Sequence, residues 1–299
     1  MPNSAQSIRI GVFLAVFAAT GFAMKGVFIK LVYPYGVDAV TLVMLRLMFA
    51  IALLWMVRLW RLHASSDAPE TPIAPLDKLK LFGLGLLGYY LSSVLDFIGL
   101  ETVSASLERL ILCLYPTFTV LLVSWFSGKP IPPKIKRALP LTYLGMVLVL
   151  APELMNAHAD WVGIGFVVAS TLAFSLYMAW SPAVIERVGS MRFTELALTV
   201  SGLGILVHWL ISHPLSSVVQ PWPVWAYALT IAIFSTVLPV YAMTNAMKRI
   251  GAGRTAVIGS FGPVLSIVMS MGILNERLSA VQWLGAAIVL SGVWMVSKK

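Results

Sequence analysis

The residues of this chain best suited to chemistry stand at helical spacing inside apolar stretches. Tyr89, Ser92, Ser93 and Asp96 fall at i, i+3, i+4 and i+7, which makes one continuous polar stripe on a helix. A carboxylate in hydrocarbon is costly, so Asp96 calls for a wet cavity or a charged partner. The stripe reads as a cavity lining able to touch a substrate; the competing reading is interhelical hydrogen bonding that only holds a bundle together. Ser170, Phe174, Tyr177 and Ser181 repeat the pattern further along, as do Phe234, Tyr241 and Asn245. Tyrosine joins an apolar face to a hydroxyl, which suits an aromatic ring or the polar end of a zwitterion; plain core packing is the alternative for Tyr177 and Tyr241. Lys25, Arg46 and Arg109 also lie within apolar stretches, where each can bind a carboxylate or neutralise a neighbour such as Asp96 or Glu108. Adjacent residues sit about 100° apart on a helix, so Arg109 is expected to pair with another helix and not with Glu108. His208, beside Trp209 near the end of its stretch, reads as interfacial.

The elements that must position these side chains follow from composition. Of 299 residues, 59% are apolar and 11% charged, and the mean hydropathy is +0.90. A soluble domain carries about 25% charged residues, so this chain is expected to be an integral membrane protein. A bilayer core about 30 Å thick takes roughly 20 apolar residues per helix. Ten runs qualify, at about 8–33, 39–59, 79–101, 103–126, 135–152, 161–182, 191–212, 222–247, 252–274 and 279–297. They are continuously apolar and not alternating, which argues against a β-barrel. The first run is too long for a signal peptide's apolar core and lacks a small-residue cleavage site. Cys113 is the single cysteine, so no internal disulfide or cysteine-based zinc site is expected.

The formal charge is +9, but the bases gather in alternate connectors and not on one face, which reads as membrane topology and not as nucleic-acid binding. Clusters such as Lys129, Lys134, Lys136 and Arg137 mark one side, whereas the opposite side carries only Lys30 and Arg277. Both termini are therefore expected in the cytoplasm, with Trp60, Trp125, Trp161 and Trp222 among the residues of an interfacial belt.

The two halves align. Gly11–Phe22 matches Gly163–Phe174, Pro116 matches Pro263, and Leu144-Gly145 matches Leu284-Gly285. The expected division is 1–152 and 153–299, five spans in each. An odd number of spans turns the second copy upside down, and inverted repeats of this kind place a substrate site near the midplane between them. Proline removes a backbone donor and clashes one turn earlier, so Pro116 and Pro263, with Gly259 and Gly262 beside the second, are expected to bend their helices as the moving parts of alternating access; the alternative is a static kink that shapes the cavity.

The segments Leu100-Glu-Thr-Val-Ser-Ala-Ser-Leu, Tyr115-Pro-Thr-Phe-Thr-Val-Leu-Leu, Gly262-Pro-Val-Leu-Ser and Asn275-Glu-Arg-Leu-Ser resemble the EamA repeat of the drug/metabolite transporter superfamily, over nearly the whole chain. Gly128-Lys-Pro-Ile departs from the pattern in the first copy. The resemblance implies an all-α membrane fold of ten helices in two inverted five-helix repeats, with a central cavity lined by helices 1–4 and 6–9. Within the superfamily the chain most resembles the YddG-type exporters of aromatic amino acids. Small multidrug-type cation exporters of a related family rely on a carboxylate in span 1; this span 1 has no acid and carries Lys25.

A neutral, zwitterionic or anionic metabolite is accordingly the expected cargo, with an amino acid foremost and the lipid bilayer as the other partner. A bacterial inner membrane, a monomeric state and no cofactor or metal are expected with it. A nucleotide-sugar or other anionic-metabolite exchanger of the same fold, and a non-carrier channel, stay open. Coupling is open too: Asp96 can exchange protons, but a passive facilitator needs no titratable site. No nucleophile–base pair, metal set or phosphate loop points to an enzyme.

Overall fold

Backbone N–H and C=O groups cannot stay unpaired in hydrocarbon, so an apolar run of membrane length must close into helix. The computed structural model describes residues 5–64, 72–128, 133–155, 160–250, 258 and 262–297, and its regular elements are all helical among them. They are α1 (Ala5–Val32), α2 (Ala39–Ala64), α3 (Pro75–Gly85), α4 (Ser92–Thr102), α5 (Ala105–Leu112), α6 (Tyr115–Ser127), α7 (Pro133–Met155), α8 (Trp161–Val188), α9 (Ser190–Ser212), α10 (Trp222–Ala232), α11 (Leu238–Ile250), α12 (Gly262–Ile273) and α13 (Ala280–Ser297).

Seven continuous stretches among the described residues are long and apolar enough to cross a membrane. Shorter apolar helices at Tyr143–Pro152, Val264–Ile273 and Ala280–Gly292 bring the helical runs to ten. This is a multi-pass, all-helical membrane protein. Its outward surface is that of a lipid-facing bundle, with Phe13, Trp60, Trp125 and Ile211 exposed.

Three runs are broken, and the breaks matter for the site. A single π-helical turn, Leu86–Leu91, joins α3 to α4, and another, Ile233–Val237, joins α10 to α11. Such turns widen a helix locally and often mark functional positions. Each packs into a close approach: a Cβ at Gly88 would run into the ring of Tyr177, and one at Gly21 would strike the carbonyl of Phe234 and the ring of Pro239. The third break lies between α5 and α6. A bend through Pro116 was the sequence expectation; instead the helix ends at Leu112, turns at Cys113–Leu114 and restarts, leaving Pro116 in the first turn of α6. In that position the missing N–H removes no intrahelical bond. Pro263 is the second described residue of α12.

Caps fix the other helix ends. Ser104 accepts from the Leu107 N–H at 3.2 Å to start α5, and Asp160 accepts from the N–H groups of Val162 and Gly163 at 3.0 and 3.1 Å to start α8. A hydrogen bond from Thr102 and those backbone donors hold the Asp160 carboxyl below the usual carboxylate range.

Helix pairs run α1 against α11, α4 against α8, α2 against α9, and α7 against α13. The last pair is a glycine crossing. A Cβ at Gly145 would meet the Gly285 carbonyl at 2.9 Å, and one at Gly285 would meet the Gly145 carbonyl at 2.7 Å, so the two backbones touch. Between α2, α4, α9 and α10 lies the largest core, built on Leu42, Leu47, Phe97, Leu100, Leu198 and Ile205.

Candidate functional site

One turn of α4 carries Ser93, Asp96 and Phe97, and three other helices deliver charged groups to its surroundings. From α1, the Lys25 ammonium donates to Asp96 Oδ2 at 2.5 Å and lies 3.6 Å from Glu108 Oε1 of α5. From α2, Arg46 Nη2 donates to Ser93 Oγ at 2.9 Å while its guanidinium lies over the Phe97 ring, 4.9 Å from the centroid. Arg109 Nη2 donates to the Phe22 carbonyl of α1 at 3.0 Å. Its Nε also comes within 3.8 Å of Glu108 Oε2, contrary to the expectation from their adjacency; the long arginine stem reaches around the 100° that separates the two Cβ directions. Asp96 is 2% exposed, Glu108 0% and Arg46 5%. Charges buried to this degree are sustained only by partners, and here the two carboxylates share one ammonium.

The end of α5 is itself fixed. Glu276, in the turn between α12 and α13, accepts from the N–H groups of Ala105 and Ser106 at 2.8 and 2.9 Å. Those donors are unsatisfied at any helix start, and the helix dipole favours an anion there. Asn275 takes a φ of 55°, the one left-handed non-glycine among the described residues, and so turns the chain that carries Glu276. Glu101 does the same service for α2, accepting from Ala39 N–H at 3.0 Å.

An aromatic wall stands at the Tyr89 end of the stripe. Tyr177 donates its hydroxyl to that of Tyr89 at 3.2 Å, and their ring centroids lie 5.3 Å apart. Phe174 lies 5.7 Å from Tyr177 and 5.5 Å from Tyr115, whose side chain is part-exposed. Ser92 is buried and returns its hydroxyl to the Gly88 carbonyl, while Ser170 donates to the Ser92 carbonyl at 2.7 Å.

The remaining residues singled out from sequence fall elsewhere. Ser181 is buried in α8. Tyr241 donates to Glu195 Oε1 at 3.4 Å, and Arg58 Nη1 pairs with Glu195 Oε2 at 2.6 Å. Asn245 is exposed, its amide donating to the Tyr241 carbonyl at 2.9 Å, and Phe234 is 47% exposed. His208 Nδ1 lies 3.0 Å from the Tyr90 hydroxyl. Gly262 opens α12, whereas Gly259 lies outside the described residues. Glu195 escaped the sequence reading, and Arg58 and Glu276 entered it only as a connector base and as part of the Asn275-Glu-Arg-Leu-Ser segment. Glu195 was within reach of it: an acid inside the apolar run 191–212 carries the same cost as Asp96. Among the described residues no group of three or more His, Cys, Asp or Glu is placed to hold a metal ion.

A model of the EamA-like transporter family matches residues 9–151 and again 161–298. The chain belongs to that family. It therefore has two EamA domains and is a transporter and not an enzyme. Its relatives include an uncharacterized transporter of Bacillus subtilis (strain 168), YcbK, 28% identical over 282 residues that cover 92% of this chain and 88% of the relative. A probable amino-acid metabolite efflux pump of Escherichia coli (strain K12) is 20% identical over 206 residues, covering 64% of this chain and 67% of the pump. One solved crystal structure superposes with a TM-score of 0.63 at 17% identity over 98% of each chain, a likeness of fold alone.

Proposed function

We propose that this EamA-like transporter is a secondary exporter that carries amino acids, aromatic ones foremost, or similar small metabolites out of the cytoplasm by alternating access. The observation that carries the reading is the meeting of Lys25, Asp96, Glu108 and Arg46 around one turn of α4, beside the rings of Tyr89 and Tyr177. Opposite charges next to an apolar, hydroxyl-bearing wall match a zwitterion with a bulky ring. The likeness to a probable amino-acid metabolite efflux pump supports the same class.

In this reading the two domains have inverted topology about a central cavity near the midplane, lined by Lys25, Arg46, Tyr89, Ser92, Ser93, Asp96, Phe174, Tyr177, Ser181, Tyr241 and Asn245. The break ahead of Pro116, and Pro263 with Gly259 and Gly262, are the moving parts, and both termini face the cytoplasm of a bacterial inner membrane. An anionic-metabolite exchanger fits less well, because Lys25 is already neutralised by Asp96 and Glu108 and leaves Arg46 as the cation for a phosphate.

Counterflow in proteoliposomes tests the proposal. Vesicles preloaded with unlabelled L-phenylalanine and diluted into a trace of label are expected to accumulate label transiently. Uptake without that overshoot, saturating only at very high concentration, would mean a channel. No uptake of any amino acid by folded protein would sink the exporter reading.

A further inference from the structure

Glu108 is not among the cavity-lining residues named above, yet it is the most completely buried charged group in the cluster, at 0% exposure. Neither of its carboxylate oxygens accepts an N–H among the described residues, and the Asp96 carboxyl stands within hydrogen-bonding reach of it. Its neighbouring cations stand off: Lys25 Nζ is 3.6 Å from Oε1 and Arg109 Nε is 3.8 Å from Oε2. Both are committed elsewhere, Lys25 to Asp96 at 2.5 Å and Arg109 to the Phe22 carbonyl at 3.0 Å. Ion pairs that hold this protein together look different. Arg187 grips Asp77 at 2.6 and 2.9 Å through two nitrogens, and Arg58 closes on Glu195 at 2.6 Å. A purely structural Glu108 would close its gaps in the same way, because an undonated buried carboxylate costs more than it returns.

The acceptors left over have a definite chemistry. Asp96 Oδ1 is also without a donor, so three carboxylate oxygens of the two residues that pair with Lys25 are short of N–H groups. A primary ammonium carries three N–H donors in a tetrahedral fan, the complement of that set. Gly26 of α1 packs on the carboxylate: a Cβ there would come within 3.3 Å of Glu108 Oε2, so glycine lets α1 lie against it without crowding its oxygens. Arg46 addresses the same turn of α4 from α2, and its Nε also lacks a partner among the described residues.

We infer that Glu108, with Asp96, is the subsite that recognises a primary ammonium group on the transported molecule, and that Arg46 takes the carboxylate of the same molecule. This deepens the amino-acid reading of the site and rests on it. Glu108 is then a specificity-determining residue, and Lys25 is the resident ammonium beside which the substrate's own is seated.

The test compares three labelled probes of one skeleton in proteoliposomes: L-phenylalanine, 3-phenylpropionate without the amine, and phenethylamine without the carboxylate. The expected result for the wild-type protein is a preference of about tenfold or more for L-phenylalanine over 3-phenylpropionate, the factor of one donor–acceptor set left unmade. Glu108→Gln is expected to abolish that preference by slowing L-phenylalanine while leaving 3-phenylpropionate unchanged or faster. Glu108→Asp keeps the charge and is expected to keep the preference at a reduced rate, which holds the test open if the glutamine variant does not fold. Equal loss for both probes in Glu108→Gln, or an unchanged preference, would overturn the inference and make Glu108 a structural residue. Wild-type protein that moves L-phenylalanine and 3-phenylpropionate equally well would also overturn it, with the amino-acid reading intact. Movement of phenethylamine but not L-phenylalanine would support the ammonium subsite and defeat the amino-acid reading, and movement of none of the three would defeat both.

Discussion

Arg46 is held by two contacts that a lysine cannot make together: a hydrogen bond to Ser93 and a cation–π contact over the Phe97 ring. Guanidinium planarity serves both at once, whereas an ammonium is a point charge with no face. Arg46→Lys is therefore expected to raise the KM for L-phenylalanine about tenfold, the loss of one charge-assisted contact, with little change in the amount of folded protein. A concentration series in counterflow reads this directly. At the same scale, Gly88 is under the Tyr177 ring, and a methyl added there has nowhere to go unless the ring moves. Gly88→Ala is expected to lower stability by about 1–3 kcal/mol, measured as a drop in Tm in detergent, and to displace Tyr177 from Tyr89. A variant with unchanged Tm would mean that the π-helical turn relaxes freely. Asp96 was legible as a special residue because a carboxylate inside an apolar run has no inexpensive explanation. Glu108 was legible as a partner for one of the buried bases and as the neighbour of Arg109, but nothing in sequence tells how its oxygens are satisfied.

At the scale of elements, helix ends decide where the charged groups stand. Glu276 lies on the first N–H groups of α5, so it sets the direction from which Glu108 and Arg109 approach Lys25. Glu276→Ala is expected to cost about 1 kcal/mol as a lost cap, with Glu276→Gln intermediate, both seen by thermal unfolding in detergent. An Asp160→Ala change removes the α8 cap in the same manner. The Asp160 carboxyl is held below its ordinary range in the folded protein, so its contribution is present above the unfolded carboxylate value and is lost as pH falls through the folded one. The Tm difference between wild type and Asp160→Ala should accordingly be full near neutrality and vanish in acid. Prolines illustrate what spacing alone misses. Their type and matched places were readable, but Pro116 serves as the opening of a new helix and not as a bend within one, because the chain breaks at Cys113–Leu114 ahead of it.

The whole molecule is governed by the bilayer. Bases concentrate in alternate connectors, from which follows an orientation that labelling can check. In a Cys113→Ser background, Ser216→Cys in the segment after α9 is expected to react with a membrane-impermeant maleimide added outside cells, and His63→Cys at the end of α2 only after lysis. The opposite pattern would reverse the topology and the direction of export. The glycine crossing of α7 and α13 joins the last span of each domain, at the two Leu-Gly pairs that the repeat aligns. That position needs small residues because the two backbones are in contact there.

Sequence by itself determined the class of protein, the number of apolar runs and the pairing of the halves, because each of these is a property of order along the chain: hydropathy, run length and self-similarity. The family match over residues 9–151 and 161–298 follows from the same linear information. Tertiary structure alone decided that Lys25 of α1, Arg46 of α2, Asp96 of α4 and Glu108 of α5 meet, that Tyr177 lies on Tyr89, and that Asn245 is exposed. The physical reason is that a polar residue in an apolar helix announces a cost but not its remedy. Which helix supplies the partner depends on how the helices rotate and cross, and that is fixed by close approaches such as Gly26, Gly88 and Gly145, which become visible only when the backbones are brought together.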